Sequence, residues 1–364
     1  MKRKSSLIKA GAIMAALVLS FGCMTGCNSE QTELTSSTTD TASSGKTSYS
    51  DTITLVWYPN ESADNFTTPR EEVAKLIEQA TGKKVEQKLT TDYAIAIESI
   101  SSGTAQIGCM FGGEGYVQAK ESNDAVDLLF VNSGESGTLD DAIYYSFLAV
   151  NEEDSENYKD GDTYSIQNIE GKKMSFVSNS STSGFKVPTK SIISYFSSDS
   201  NWADLTVDDL LEGGSDTLFS EVLFGGSHQG SAYNLISGKT DVAAFCDTEI
   251  APYATLVSGE ENQVGSVYEI IKGAEAPFDT VTGEQFTVIS SIPVMNGPFV
   301  YNSDTLSPED VKAIQELFTS DEVANNSTIF YTEDSEEVGM YEKSGEQRFV
   351  LVEDEWYAPI RNMQ

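Results

Sequence analysis

The chain has one histidine, His228, and four cysteines among its 364 residues. A single imidazole rules out sites built from several histidines, and no CxxC or HExxH spacing supplies a metal ligand set. No Walker lysine loop is present, and no base accompanies a nucleophilic serine apart from the lone His228, so catalysis has little to stand on. Positive charge is scarce too: 22 Lys and Arg face 57 Asp and Glu, for a net charge of −35. Such a surface argues against nucleic-acid binding. It also favours solubility, and it requires any anionic ligand to be captured by local donors against the global field.

Long apolar runs are nearly absent. The one exception, Ala10 to Phe21, is too short to span a bilayer as a mature helix. Preceded by Lys2, Arg3, Lys4 and Lys9, it reads as an export signal. Met24-Thr25-Gly26-Cys27 resembles the lipobox of bacterial lipoproteins, and it fits better than Ser20-Phe21-Gly22-Cys23, where Phe21 is bulky. Residues 1–26 are therefore expected to be a lipoprotein signal peptide and Cys27 the lipidated residue. Residues 27–51 are rich in Ser, Thr, Gly and charge, and are expected to be a disordered tether between membrane and domain. Cys109 and Cys246 remain in the mature chain, each ending an apolar run. Two buried free thiols are expected, with a disulfide as the alternative in this compartment.

About 310 residues follow the tether, a length for about two domains. Strand and helix signals alternate along them. Ile53 to Trp57 reads as a buried strand. Thr68-Pro69-Arg70-Glu71 reads as a capping box, with Val73, Leu76, Ile77 and Ala80 on one helical face and Gly82 as the stop. A second unit has Val85 to Leu89 as strand, Asp92 as cap and Gly103 as stop. Tyr144 to Val150 and Phe286 to Ile289 read as strands that carry the chain between domains. Ser307-Pro308-Glu309-Asp310 starts another helix. The expected fold is α/β: two doubly wound, mainly parallel lobes joined by two crossover strands, with a ligand cleft between them. The expected division is 52–146 with 290–364 in one lobe and 147–289 in the other.

Between the apolar run at Met174 to Val177 and a helix-like stretch lies Ser180-Ser181-Thr182-Ser183-Gly184-Phe185-Lys186-Val187-Pro188. Hydroxyls and backbone N–H groups packed this closely can serve one small anion, while the same residues can also simply cap a helix or form a turn. Pro188 requires the helix to begin close to Ser183.

Ser181-Thr182-Ser183-Gly184-Phe185-Lys186-Val187-Pro188 resembles the Ser-Thr-Ser-Gly-aromatic-x-x-Pro signature of phosphate/phosphite/phosphonate-binding proteins of ABC importers. Four further segments resemble that family in the same order: Asp92-Tyr93-Ala94 through Tyr116-Val117-Gln118-Ala119; Gly226-Ser227-His228 with Gly238 to Ala244; Ile292-Pro293 with Gly297-Pro298; and Tyr357 to Arg361. The likeness covers about residues 52 to 364 and implies a periplasmic-binding-protein type II fold. It further implies anion contacts from Ser181, Thr182, Ser183 and His228, whose protonated form the anion would favour, with Tyr93, Tyr144 and Glu249 around the organic substituent. Where the family has a second carboxylate, this chain has Asn296, which hydrogen-bonds but cannot neutralise an ammonium group. The loop Gly112-Gly113-Glu114-Gly115 is one residue longer than usual, and Glu114 either restores an acid or is ordinary structure.

The resemblance implies a lipid-anchored, extracytoplasmic, monomeric substrate-binding protein that needs no cofactor or metal. It would deliver a small phosphonate or related phosphorus oxyanion to a membrane permease. A sensor or binding protein for a sulfonate or other small organic ligand on the same fold is the alternative.

Overall fold

A computed structural model describes residues 49–60, 66–332, 335 and 339–363. The expected signal peptide, Cys27 and all of the tether before residue 49 lie outside the described residues.

In chain order, β1 (Thr52–Trp57), α1 (Thr67–Thr81), β2 (Lys84–Lys88), α2 (Tyr93–Ser101), β3 (Ile107–Cys109), α3 (Gly113–Ser122) and β4 (Val126–Asn132) open the fold. The chain then crosses to β5 (Ile143–Asn151), a small hairpin of β6 (Lys159–Asp160) and β7 (Thr163–Tyr164), and β8 (Lys173–Phe176). After these come α4 (Val187–Phe196), β9 (Glu221–Phe224), α5 (His228–Ile236), β10 (Val242–Cys246) and α6 (Asp247–Ile250). Two strands follow, β11 (Ala254–Ser258) and β12 (Val267–Ile270), and then the long β13 (Gln285–Met295). Across Asn296 and Gly297 the chain returns in β14 (Pro298–Asn302), followed by α7 (Pro308–Phe318) and α8 (Asp321–Ala324). It ends with the pair β15 (Phe330–Tyr331) and β16 (Tyr341–Glu342), then β17 (Phe349–Val350) and α9 (Ala358–Arg361).

Two larger sheets result. One has the order β17-β4-β14-β3-β1-β2, the other β11-β12-β13-β5-β10-β8-β9. β1 pairs in parallel with β2 and β3, and β8 with β9 and β10, as strand-helix-strand units require. Both sheets are mixed, because β14 runs antiparallel between β3 and β4, and β5 and β13 pair antiparallel beside β10. β5 begins at Ile143 and β13 ends at Met295, so the crossing strands extend past the expected boundaries at 146 and 289.

Each sheet buries apolar side chains on both faces. On the first, Val73, Leu76 and Ile77 of α1 meet Val311, Ile314 and Phe318 of α7 over Leu55 and Ile107. On its other face, a cluster around Tyr58, Tyr93, Ile97, Phe111 and Tyr116 also takes in Val177 and Val187, which flank the serine run beside the second sheet. The two sheets thus meet through packed side chains at the serine run.

Helix starts depart from expectation at one place. α1 begins at Thr67 with Phe66 at the cap position and no side-chain cap bond, so Thr68 lies inside the helix and does not form the expected capping box. Asp92 does cap α2, accepting from Ala94 N–H at 2.8 Å, and Gly82 ends α1 in the left-handed region at φ 69°.

Candidate functional site

The serine run sits at the C-terminal end of β8, where α/β sheets place ligands. Ser181 is extended and its hydroxyl accepts from Gly184 N–H at 3.1 Å. Thr182 to Lys186 then form one wide π-type turn that continues into α4, with Pro188 in the first turn of α4. Gly184 has no substitute here: a Cβ would lie 2.2 Å from Val177 Cγ2. Ser181, Thr182 and Ser183 are all buried. Ser183's carbonyl accepts from the Ser146 hydroxyl at 2.6 Å, fixing the turn to β5.

Thr182 reaches the other sheet. Its Oγ1 accepts from Glu114 N–H at 2.9 Å, in the first turn of α3, and a Cβ on Gly112 would come within 2.6 Å of that oxygen. The Tyr58 hydroxyl donates to the Ser180 carbonyl at 2.8 Å. Since this Thr182 oxygen already accepts, its own proton remains to be donated.

His228 is the first residue of α5, behind Ser227, whose side chain accepts from Gly230 N–H at 3.0 Å. It is 3 % exposed. Its Nδ1 accepts from Cys246 N–H at 3.1 Å, which leaves Nε2 to carry the proton. Burial pushes its pKa down to about 3. Here the imidazole is a neutral Nε2–H donor, because the Nδ1 lone pair is occupied by a backbone N–H and the ring is desolvated.

Tyr93, Tyr144 and Glu249 converge on the same place. Tyr93 lies beside Ser181 and Tyr144 beside Ser183, and both phenols feel the Glu249 carboxylate and the Cys246 thiol. Burial pushes both phenols up, so they are neutral hydrogen-bond donors. Burial, and after it the Asp247 charge, push the Glu249 carboxyl up, while Arg70 on α1 pulls it down. Asp247 is itself raised to about 6, chiefly by burial. Cys109 and Cys246 are buried free thiols.

Asn296 follows the end of β13, whose Val294 pairs with Tyr144. Its side-chain NH2 donates to the Asn132 carbonyl at 2.9 Å, and its carbonyl accepts from the Tyr357 hydroxyl at 2.7 Å, so it braces the crossing between β13 and β14. Two residues not picked out from the sequence touch this group. Asn60 accepts from the Tyr93 hydroxyl at 3.3 Å through Oδ1 and from His228 N–H at 3.3 Å through its carbonyl. Tyr58 packs edge-on against Tyr93 at 4.4 Å between ring centroids. Both follow β1, and that strand-end position was the available signal. An open pocket of about 330 Å³, lined by Asp92, Tyr93, Ser178, Asn179, Phe224 and Gly226 among others, flanks the run. Neither Thr182, Ser183 nor His228 lines it, so it forms a rim beside the buried donors.

The candidate site therefore gathers neutral hydrogen-bond donors and two carboxyl groups where the two α/β sheets meet. A family model described as the periplasmic substrate-binding protein of a phosphonate ABC transporter matches residues 55–357. The chain belongs to this family. It is a substrate-binding component of an ABC importer, acting outside the cytoplasm, and not an enzyme. Among its relatives, the phosphate-import protein PhnD of Mycolicibacterium smegmatis is 24% identical over 276 residues, covering 75% of this chain and 73% of that protein. Two solved structures share the type II fold. A binding-protein component of an ABC phosphonate transporter from Pseudomonas aeruginosa has TM-score 0.56 and 19% identity, over 86% of this chain and 85% of the other. A Prochlorococcus marinus protein in complex with methylphosphonate has TM-score 0.56 and 16% identity, over 86% of this chain and 97% of the other. Among the described residues no helix is long and apolar enough to cross a membrane.

Proposed function

We propose that this family member binds a small phosphonate or related phosphorus oxyanion, with Ser181, Thr182, Ser183 and His228 as the head-group clamp. The carrying observation is the link from the hydroxyl run to His228: Tyr93, beside Ser181, donates to Asn60, whose carbonyl accepts from His228 N–H at 3.3 Å, while Cys246 N–H fixes the imidazole at 3.1 Å. A tetrahedral head group offers several acceptor oxygens, and hydroxyl, backbone and imidazole donors meet them without a counter-cation. Tyr93, Tyr144 and Glu249 face the substituent. Residues 52–146 with 290–364 and residues 147–289 act as the two lobes, and contacts from both sides favour the closed form when the ligand is present. Pure His228→Ala protein is expected to bind methylphosphonate about 10 to 100 times more weakly, the loss typical of one donor to a charged acceptor. Unchanged affinity would remove His228 from the clamp.

The export signal and Cys27 support a lipid anchor on the extracytoplasmic face, and from there a monomer would deliver its ligand to a membrane permease. A Cys27→Ser chain is expected in the soluble fraction of fractionated cells, and its retention in the membrane fraction contradicts the anchor.

A further inference from the structure

Glu114 is almost fully buried, with its side chain 3% exposed, yet it lies outside the clamp. Its Oε1 accepts from Gln118 Nε2 at 2.9 Å on the next turn of α3 and stands 3.5 Å from Lys186 Nζ, itself 15% exposed. The second oxygen, Oε2, is buried without a hydrogen-bond partner. Gln118 continues the chain of contacts, since its Oε1 accepts from the Ser180 hydroxyl at 3.1 Å. Three positions of the serine run, 180, 182 and 186, are therefore tied to two successive turns of α3 on the other sheet.

The backbone N–H of Glu114 is one of the N-terminal donors that an α-helix cannot satisfy internally. Gly112, at the cap position, has no side chain to serve it. Thr182 Oγ1 supplies the missing acceptor from the other side of the cleft at 2.9 Å. Accepting this bond fixes the oxygen and leaves a single hydroxyl proton to be directed elsewhere. Meanwhile the Glu114 carboxylate pairs with Lys186, the one cation within the run, so the head-group site keeps its neutral donors.

We propose that Glu114 is a positioning residue for ligand capture: through its pairing with Lys186 and its backbone bond to Thr182, it orients the Thr182 hydroxyl without touching the ligand. This rests on the reading of Thr182 as a head-group donor. The extra residue in the Gly112-Gly113-Glu114-Gly115 loop thus serves the clamp from behind and supplies no acid to the substituent. A buried pair of this kind stabilises only when both partners are present, because either charge left alone in the interior is costly.

A double-mutant cycle read by calorimetric titration with methylphosphonate and with inorganic phosphate tests it. Glu114→Gln is expected to weaken binding about tenfold, Lys186→Met by a similar factor, and the pair together by little more than either alone. In a Thr182→Ala background the Glu114→Gln change is expected to alter affinity less than about twofold, while in Thr182→Ser the tenfold effect persists. A merely structural role predicts the same loss in all backgrounds. That result, or unchanged affinity in Glu114→Gln, overturns the positioning role. Unchanged affinity in Thr182→Ala alone instead overturns the clamp assignment of Thr182. Melting curves of each variant confirm folding, and Gln118→Leu, which severs the link to Ser180 and Glu114 while leaving both charges in place, gives the same comparison if Glu114→Gln does not fold.

Discussion

His228 shows how one backbone bond sets the chemistry of a side chain. Cys246 N–H occupies Nδ1, burial holds the pKa down to about 3, and the ring presents Nε2–H as a neutral donor. An unfolded chain takes up this proton near pH 6.5, so between about 3 and 6.5 the unfolded state binds more protons and stability rises with pH. Above that window the contribution is complete. Asp247, raised to about 6, has the opposite slope in part of the same range, so wild type must be compared with a His228→Gln variant that keeps Asp247. The stability difference between the two is expected to shrink as pH falls from 7 to 4, by up to about 1.4 kcal/mol per unit. Denaturant melts at each pH read it directly, and a constant difference contradicts the buried neutral imidazole.

At the scale of elements, the turn from Ser181 to Lys186 works because Gly184 allows Val177 to pack against it. Gly184→Ala is expected to cost about 1 to 3 kcal/mol through overpacking and to lower ligand affinity as the turn shifts. Ser307→Ala, which removes the cap that accepts from Asp310 N–H at 3.1 Å, is expected to cost about 1 kcal/mol with affinity unchanged. Thermal melts with parallel titrations separate the two. If both variants lose affinity alike, the turn has no special role. Much of this level was legible in the sequence. Asp92, Gly82 and Ser307 announced their helix ends through local chemistry that acts within three residues, and the observed ends agree. The start of α1 was not legible, because a Thr-Pro-x-Glu pattern satisfies the motif while tertiary packing of Phe66 and Pro69 sets the boundary. Tyr58 and Asn60 were missed for a related reason: their roles arise only where β1 ends beside α2 and α5, a long-range meeting that no local pattern encodes. The bond from the Asn296 amide to the Asn132 carbonyl, across 164 residues of chain, was beyond the reach of local pattern in the same way.

At the scale of the whole molecule, strand signals identified the two crossings, but not which neighbours each strand would take. The mixed character of the sheets follows from β14 inserting between β3 and β4 and from the long β5 and β13 pair, both contacts between distant segments. That arrangement puts donors from the serine run and α5 opposite Tyr58 and Glu114 of the first sheet. Under the proposed function, a ligand there would touch both halves, and binding would be coupled to closure. The strongly acidic chain gives no long-range help to an anion, so affinity for the head group must come from short-range donors. Calorimetric titration of the wild-type protein with methylphosphonate, aminoethylphosphonate, phosphite, phosphate and taurine tests this most directly. One equivalent of a phosphorus oxyanion bound with clear preference over taurine is the expected result; tighter binding of taurine, or no binding of any phosphorus oxyanion, contradicts it.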